Sequence, residues 1–353
     1  MQRLAGKWRA VVSALTIAAC TACLSTPQRP VPEGSQLCEG TLEGKRSPGG
    51  AFSAAMLDGQ PIVADITGDQ RDDLILWGRE QVGTAMCSRV WIFFGSSNFT
   101  SLKNYDRRID FATAVHAVTV ATVSGDNSDN LDLVVLVQNE AAHLLARFDM
   151  RPSVSDPIIA PTVALQGLGT GPFVLFGMYD RLVYVGGMRR YTVDFASPLM
   201  APAERDKLIR GWSDILAESW DRARGGVIAA FKDRIVRTKD KPFQDPDALV
   251  LLDPDPLEQF TFARRTDIGS EPNKLYGVGV SSTSTIVRFL LADTTTGFDM
   301  TKMSTNFNSF GIAAAAAKFQ QGSVATTNTD AAILTKAPQT GQLELSFRSA
   351  CEN

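Results

Sequence analysis

Asp65, Thr67, Asp69 and Asp73 fall at alternating or near-alternating positions of Ala64-Asp65-Ile66-Thr67-Gly68-Asp69-Gln70-Arg71-Asp72-Asp73-Leu74, between two short apolar runs. Oxygens spaced in this way in a tight loop can converge on one point, and the backbone carbonyl of Arg71 can fill a further place. Such a set suits a hard divalent cation. Ca2+ takes six to eight oxygen ligands at about 2.3–2.6 Å, and a short acidic loop supplies several of them from near neighbours. The same residue types also make tight turns without metal, because Asp and Thr side chains bond the local backbone and Gly bends freely. Both readings, a Ca2+ loop and a plain turn, stand on these residues.

A second stretch, Thr122-Val123-Ser124-Gly125-Asp126-Asn127-Ser128-Asp129-Asn130-Leu131, begins 57 positions after Asp65 and has the same frame. Thr122 stands for the first Asp and Asn130 for the last, so Ser124, Asp126 and Asn130 form a weaker candidate ligand set. Glu218 to Val227 keeps the strand-loop-strand frame, but Arg222 and Gly226 stand where acids are needed. Lys318 to Leu334 keeps Asp330 ahead of an apolar run.

Other residues could do chemistry and have simpler readings beside them. Asp253, Asp255 and Asp267 could act as paired carboxylates, yet Asp253-Pro254-Asp255-Pro256 is first a hairpin turn. The chain has two histidines, His116 and His143, each in or beside an expected strand, which suits a packed or rim position. Trp91, Trp212 and Trp220 could line a sugar or peptide site, though a sheet core is the commoner home for such rings. No Gly-x-Ser-x-Gly elbow, His-Glu-x-x-His helix or phosphate-cradling glycine loop occurs.

The elements that must position these loops are short apolar strands. Pro61 to Ala64, Leu74 to Trp77 and Val90 to Gly95 make one unit, and Ala117 to Val120, Leu131 to Val137 and His143 to Phe148 make the next. Further units centre on Phe173 to Val185, Ile215 to Arg237, Leu249 to Ala263, Tyr276 to Leu291 and Ile312 to Phe347. Ala313 to Ala317 is read as a narrow inner strand, and segments such as Pro202 to Trp212 could form a helical turn. Seven hairpin-centred units, with six as the alternative, indicate an all-β chain and a β-propeller. Each small sheet has two apolar faces and cannot stand alone, whereas radial stacking covers both and leaves short edges. A β-sandwich pair is the competing architecture.

The first loop resembles the FG-GAP and VCBS repeat families, whose loops read Asp-x-Asn-x-Asp-Gly-x-x-Asp-Leu between propeller strands, as in integrin α-subunits. Val90-Trp91-Ile92-Phe93-Phe94-Gly95-Ser96 is similar to the strand that follows in those repeats. The resemblance covers two units well and two weakly. It implies Ca2+ at Asp65, Thr67, Asp69, the Arg71 carbonyl and Asp73, and less firmly at Ser124, Asp126 and Asn130. Gln70 replaces the family glycine, and Thr67 is a poorer ligand than Asn or Asp.

The amino end carries a different signal. Arg3, Lys7 and Arg9 precede the apolar run Ala10 to Ala19, too short to span a bilayer comfortably. Ile17-Ala18-Ala19-Cys20 resembles the lipobox of bacterial lipoproteins, which implies a signal peptide over residues 1–19 and lipidation of Cys20. Thr21 stands where inner-membrane lipoproteins carry Asp, so an outer-membrane lipoprotein is implied, facing the periplasm or the exterior. A Pro-rich polar tether would span residues 20–37 and the propeller domain 38–353. In an oxidising compartment Cys38 and Cys351 are the expected disulfide, on the argument that a ring brings its termini together; Cys38 with Cys87 is the competing pair.

A net charge of −3 with scattered Lys and Arg offers no field for phosphates, which argues against nucleic acid as partner. The expectation is therefore a non-enzymatic binding or scaffold module at the cell envelope, with a protein or glycan partner and a lipid link to the membrane. The alternative is a propeller enzyme acting on polysaccharide, a lyase or hydrolase.

Overall fold

The computed structural model describes residues 38, 40–41, 44–69, 71–96, 104–121, 131–138, 142–151, 162–177, 182–187, 189–195, 203–204, 217–221, 226–238, 246–251, 257–264, 274–281, 286–294, 297–303, 313–317 and 330–348. The described residues are all-β. They form antiparallel meanders in chain order, in which most strands pair with their sequence neighbours; the exceptions within a meander are Lys45–Ala51 on Asn104–Phe111 and Met56–Leu57 on Asp73–Val82.

The first meander contains β1 (Lys45–Ala51), β2 (Met56–Leu57), β3 (Ile62–Ala64), β4 (Asp73–Val82), β5 (Ala85–Phe93) and β6 (Asn104–Phe111), in the order β1-β6-β5-β4-β3 with β2 also on β4. The second holds β7 (Val115–Ala121), β8 (Asp132–Gln138), β9 (His143–Phe148) and β10 (Val163–Leu165). The third holds β11 (Val174–Gly177), β12 (Leu182–Gly186), β13 (Arg190–Asp194) and β14 (Ala203–Glu204). The fourth holds β15 (Ala217–Asp221), β16 (Gly226–Ala230), β17 (Arg234–Thr238) and β18 (Pro246–Leu251). The fifth holds β19 (Leu257–Arg264), β20 (Lys274–Ser281), β21 (Ile286–Thr294) and β22 (Gly297–Met303), and β19 also pairs in parallel with β3 through Ala263 and Val63. The sixth holds β23 (Ala313–Ala317), β24 (Asp330–Lys336) and β25 (Leu343–Arg348).

Among the described residues six meanders stand where the sequence pattern indicates seven units, with six as its alternative. The difference lies at residues 249–263: Leu249 to Leu251 completes the fourth meander as part of β18, and Phe260 to Ala263 belongs to β19, the first strand of the fifth. The sequence Asp253-Pro254-Asp255-Pro256 between two apolar runs has the look of a hairpin, but those runs belong to two separate sheets. The alanine run forms β23, as its pattern indicates, and within 202–212 the described pair Ala203–Glu204 is strand.

The apolar runs are continuous rather than alternating because both sheet faces are covered. Along β4, Ile75 and Trp77 face the second meander, while Leu74 and Leu76 face the sixth. Along β8, Leu133, Val135 and Val137 pack on the first meander, and Val134 and Leu136 on the third. Four sheets therefore stack face to face in the order sixth, first, second, third. Each fully buried Leu, Val or Ile in these seams contributes about 1.5–3 kcal/mol.

The seam between first and last sheets brings the early chain onto its late part. Leu343 donates its N–H to the Ala54 carbonyl at 2.9 Å in an isolated antiparallel bridge. Phe52 meets Trp91 edge-on at a centroid distance of 5.3 Å and Phe93 at 5.7 Å, and Phe93 meets Phe347 at 5.9 Å. Between the second and third sheets, β7 and β11 approach so closely that a Cβ on Gly177 would lie 2.1 Å from the Val120 carbonyl oxygen. The Gly177 N–H donates to Thr119 Oγ1 at 3.2 Å across that gap.

Candidate functional site

The loop between β3 and β4 is organised around Asp73, whose side chain is fully buried at the start of β4. Its Oδ2 accepts the N–H groups of Ile66 at 2.9 Å and Thr67 at 3.1 Å, and its Oδ1 accepts the Gly95 N–H at 2.9 Å. One carboxylate therefore ties both limbs of the loop to the chain leaving β5. Burial pushes this carboxyl well above the usual range, the Gly95 and Ile66 N–H groups oppose the rise, and the nearby charges of Asp65 and Asp69 add to it.

The turn itself is held by its own side chains. Asp65 Oδ1 accepts the N–H of Gly68 at 2.7 Å and of Asp69 at 3.2 Å, and Asp69 Oδ1 accepts the N–H of Arg71 at 3.0 Å. The Thr67 hydroxyl lies 3.4 Å from Asp65 Oδ1 and 3.2 Å from Asp69 Oδ1. Gly68 takes a φ of 77°, the left-handed conformation that glycine adopts without cost. Thus Asp65 and Asp69 are brought together at Thr67, as the spacing indicates, while Asp73 sits beneath them as a buried brace. The Arg71 guanidinium lies 3.8 Å from Asp69 Oδ2 and supplies positive charge of its own.

These donors are a thin match for Ca2+. Two carboxylates and a hydroxyl converge, whereas both oxygens of Asp73 already face N–H donors; among the described residues no three His, Cys, Asp or Glu side chains gather as a metal-holding group.

Of the second loop, Ser124, Asp126 and Asn130 lie outside the described residues. The strands that flank it show a different last position from the one the sequence frame indicates. Ala64 pairs with Asp73 across β3 and β4, and Ala121 pairs with Asp132 across β7 and β8. Asp132, not Asn130, occupies the place of Asp73. It is buried, its Oδ2 accepts Arg147 Nε at 2.7 Å, and burial raises its pKa to about 6 against the opposing pull of Arg147. The Arg147 guanidinium also lies over the Phe195 ring at 5.8 Å. The run Asn130-Leu131-Asp132-Leu133 has a polar residue before each leucine, so sequence alone could frame it either way. Asp330 takes the same place a third time, opposite Ala317.

An ion-pair cluster that carries no sequence motif lies across β1, β4, β5 and β6. Asp110 lies between Arg89 Nε at 3.1 Å and Arg108 Nε at 2.8 Å, accepts the Ser47 hydroxyl at 2.5 Å, and Glu80 contacts both arginines. Desolvation offsets much of the attraction in such a buried cluster, so it adds little net stability. Trp91 is a core residue with no exposure. Trp212 and Asp253, Asp255 and Asp267 lie outside the described residues, as do Cys20 and the whole of residues 1–37. Among the described residues no helix is long and apolar enough to cross a membrane.

The disulfide is Cys38–Cys87, with Cα atoms 5.4 Å apart, which corrects the expected Cys38–Cys351 pair. The chain does return to its beginning, but the meeting point is Ala54 with Leu343. Thr41 instead bridges Phe111 and β1 pairs with β6 at the edge of the first sheet, and Cys38 meets Cys87 on β5.

No protein-family profile matches the chain, and no curated protein matches it. Among solved structures it is similar to a mutant of AofleA from Arthrobotrys oligospora at 11% identity and a TM-score of 0.47, covering 86% of this chain and 87% of that one. It is also similar to the PQQ-bound aldose sugar dehydrogenase from Streptomyces coelicolor at 13% identity and a TM-score of 0.40, over 86% of this chain and 99% of that one. The WD40 domain of Toxoplasma gondii coronin gives 8% identity and a TM-score of 0.40, over 88% of each chain. At these scores the likenesses carry no argument, and the fold rests on the chain's own sheets.

Proposed function

We propose that this chain is a β-propeller of the FG-GAP/VCBS kind that works as a binding or scaffold module at the cell envelope, lipid-anchored through Cys20. The supporting observation is the commitment of its buried acids to structure: Asp73 holds three backbone N–H groups, Asp132 holds Arg147 and Asp110 holds two arginines. Acids used in this way brace the loops that a partner would meet. The partner class is an envelope protein or glycan, and the presenting surface is the end that carries loop 65–72. Ca2+ enters this reading as a rigidifying ion at Asp65, Thr67, Asp69 and the Arg71 carbonyl. The convergence of Asp65 and Asp69 on Thr67 supports it, and the engagement of Asp73 weighs against it.

The test is to pass envelope polysaccharides and envelope proteins over the immobilised chain, recording retention and any new reducing or unsaturated sugar ends. Retention without product, weakened by substitutions at Asp65 and Asp69, is the expected result. Steady product formation from a polysaccharide would establish the enzymatic alternative instead.

A further inference from the structure

The chain's two histidines come from different strands and meet in space. His116 on β7 and His143 at the start of β9 have ring centroids 5.3 Å apart, and both lie against Phe173, at 4.7 and 4.8 Å, just before β11. His116 Nε2 is 3.1 Å from Gln138 Oε1. His143 is only 6% exposed, and its Nε2 is buried with no hydrogen-bond partner. Phe173 itself packs on the apolar seam between the second and third sheets.

Two imidazoles at this separation tolerate being neutral far better than being charged together, and a buried ring without a partner has nothing to receive the charge. We infer that His116, His143 and Phe173 form an acid-sensitive latch between the second and third sheets, closed when both imidazoles are neutral and loosened when His143 takes a proton.

The neighbouring groups leave that response to the histidines. Among the described residues, β10 and β11 carry no charged side chain, and Gln138 on β8 is neutral. On β8 and β9 the charged residues are Asp132 and Arg147, which pair with each other. Arg189, from the third sheet's turn, lies against Gly167. Burial holds the His143 pKa below its ordinary value and the neighbouring His116 lowers it further. Because the folded value is depressed, the unfolded chain binds the proton first. Stability is therefore retained above about pH 6.5 and falls as pH drops from there toward the folded value.

The full-length chain tests this directly, since two histidines give two imidazole resonances. In a proton NMR titration the His143 signal should shift with a midpoint below about 6.5, and His116→Gln should move that midpoint upward. Hydrogen exchange in 163–177, corrected for intrinsic rate, should quicken at least several-fold at pH 5 relative to pH 7.5, and that change should shrink in His143→Gln. If His143 titrates at its ordinary value and ignores His116→Gln, the latch is disproved. Equal exchange at both pH values would disprove its link to the sheet seam.

Discussion

Asp132 stands opposite Ala121 across β7 and β8, in the place that Asp73 holds opposite Ala64 across β3 and β4. The two positions solve one problem with different partners. Each first hairpin places a buried acid at the foot of its second strand. In the first sheet the acid takes backbone N–H groups; in the second it takes Arg147.

Asp73→Ala leaves three N–H groups without their acceptor, two of them at the loop and one at Gly95. A buried donor left unmade costs about 1–3 kcal/mol, so the loss should be at least about 3 kcal/mol in denaturant unfolding. Asp65→Ala, in a more exposed turn, should cost about 1 kcal/mol. If the hydrogen bonds alone hold the loop, millimolar calcium will leave the thermal midpoint unchanged. A midpoint that climbs with calcium and stops climbing in Asp65→Ala would show a bound ion.

Asp132 gives a signature in pH. Its carboxyl is raised to about 6 in the fold, so its contribution is fully present below the unfolded value of about 3.9 and is lost as pH rises through about 6. Asp132→Asn should remove that slope between pH 4 and pH 7, a difference of up to about 3 kcal/mol relative to the parent chain. Parallel stability curves for the two proteins would show that Asp132 ionises as an ordinary carboxyl.

Inner and middle strands were legible because their residues announce them: Leu74 to Trp77, Leu133 to Val137 and Val183 to Val185 are apolar on both faces. Outer strands were not. Lys45–Ala51 contains Pro48 and two glycines and survives as a strand because it lies at the sheet edge, where a missing N–H is tolerated. Asn104–Phe111 carries Arg107 and Arg108; Arg107 lies over the Phe94 ring, and Arg108 pairs with Asp110 on its own strand and reaches Glu80 on β4. The loop's spacing announced Asp65, Thr67 and Asp69 as neighbours, but the turning of Asp73 toward Gly95 depends on a strand end twenty-two residues away in sequence. Pairing of Cys38 with Cys87 was legible only as the competing pair, since nothing local shows that Lys45–Ala51 pairs with β6.

Non-reducing peptide mapping should recover Cys38 joined to Cys87. The bond closes a loop of sequence separation 49, and Cys87→Ser should lower stability by about 2–4 kcal/mol. Recovery of Cys38 on a peptide containing Cys351 would overturn the path drawn for the early chain.

Gly177→Ala reports on the approach of the third sheet to the second. The new methyl group would be forced against the Val120 carbonyl and the Ala121 side chain, and overpacking of this kind costs about 1–3 kcal/mol. A neutral substitution would mean that β7 and β11 lie farther apart than described.

The face-to-face seam joins the last described sheet to the first, and Ala54 opposite Leu343 is its most direct marker. Directly opposed residues of antiparallel strands have Cα atoms about 4.5–5.5 Å apart, within the range a disulfide spans. The chain carrying Ala54→Cys and Leu343→Cys should therefore form an intramolecular bond on mild oxidation, seen by peptide mapping, and should melt at a higher temperature than its reduced form. Cysteines that stay reduced, or that join only between molecules, would contradict the docking of the sixth sheet on the first.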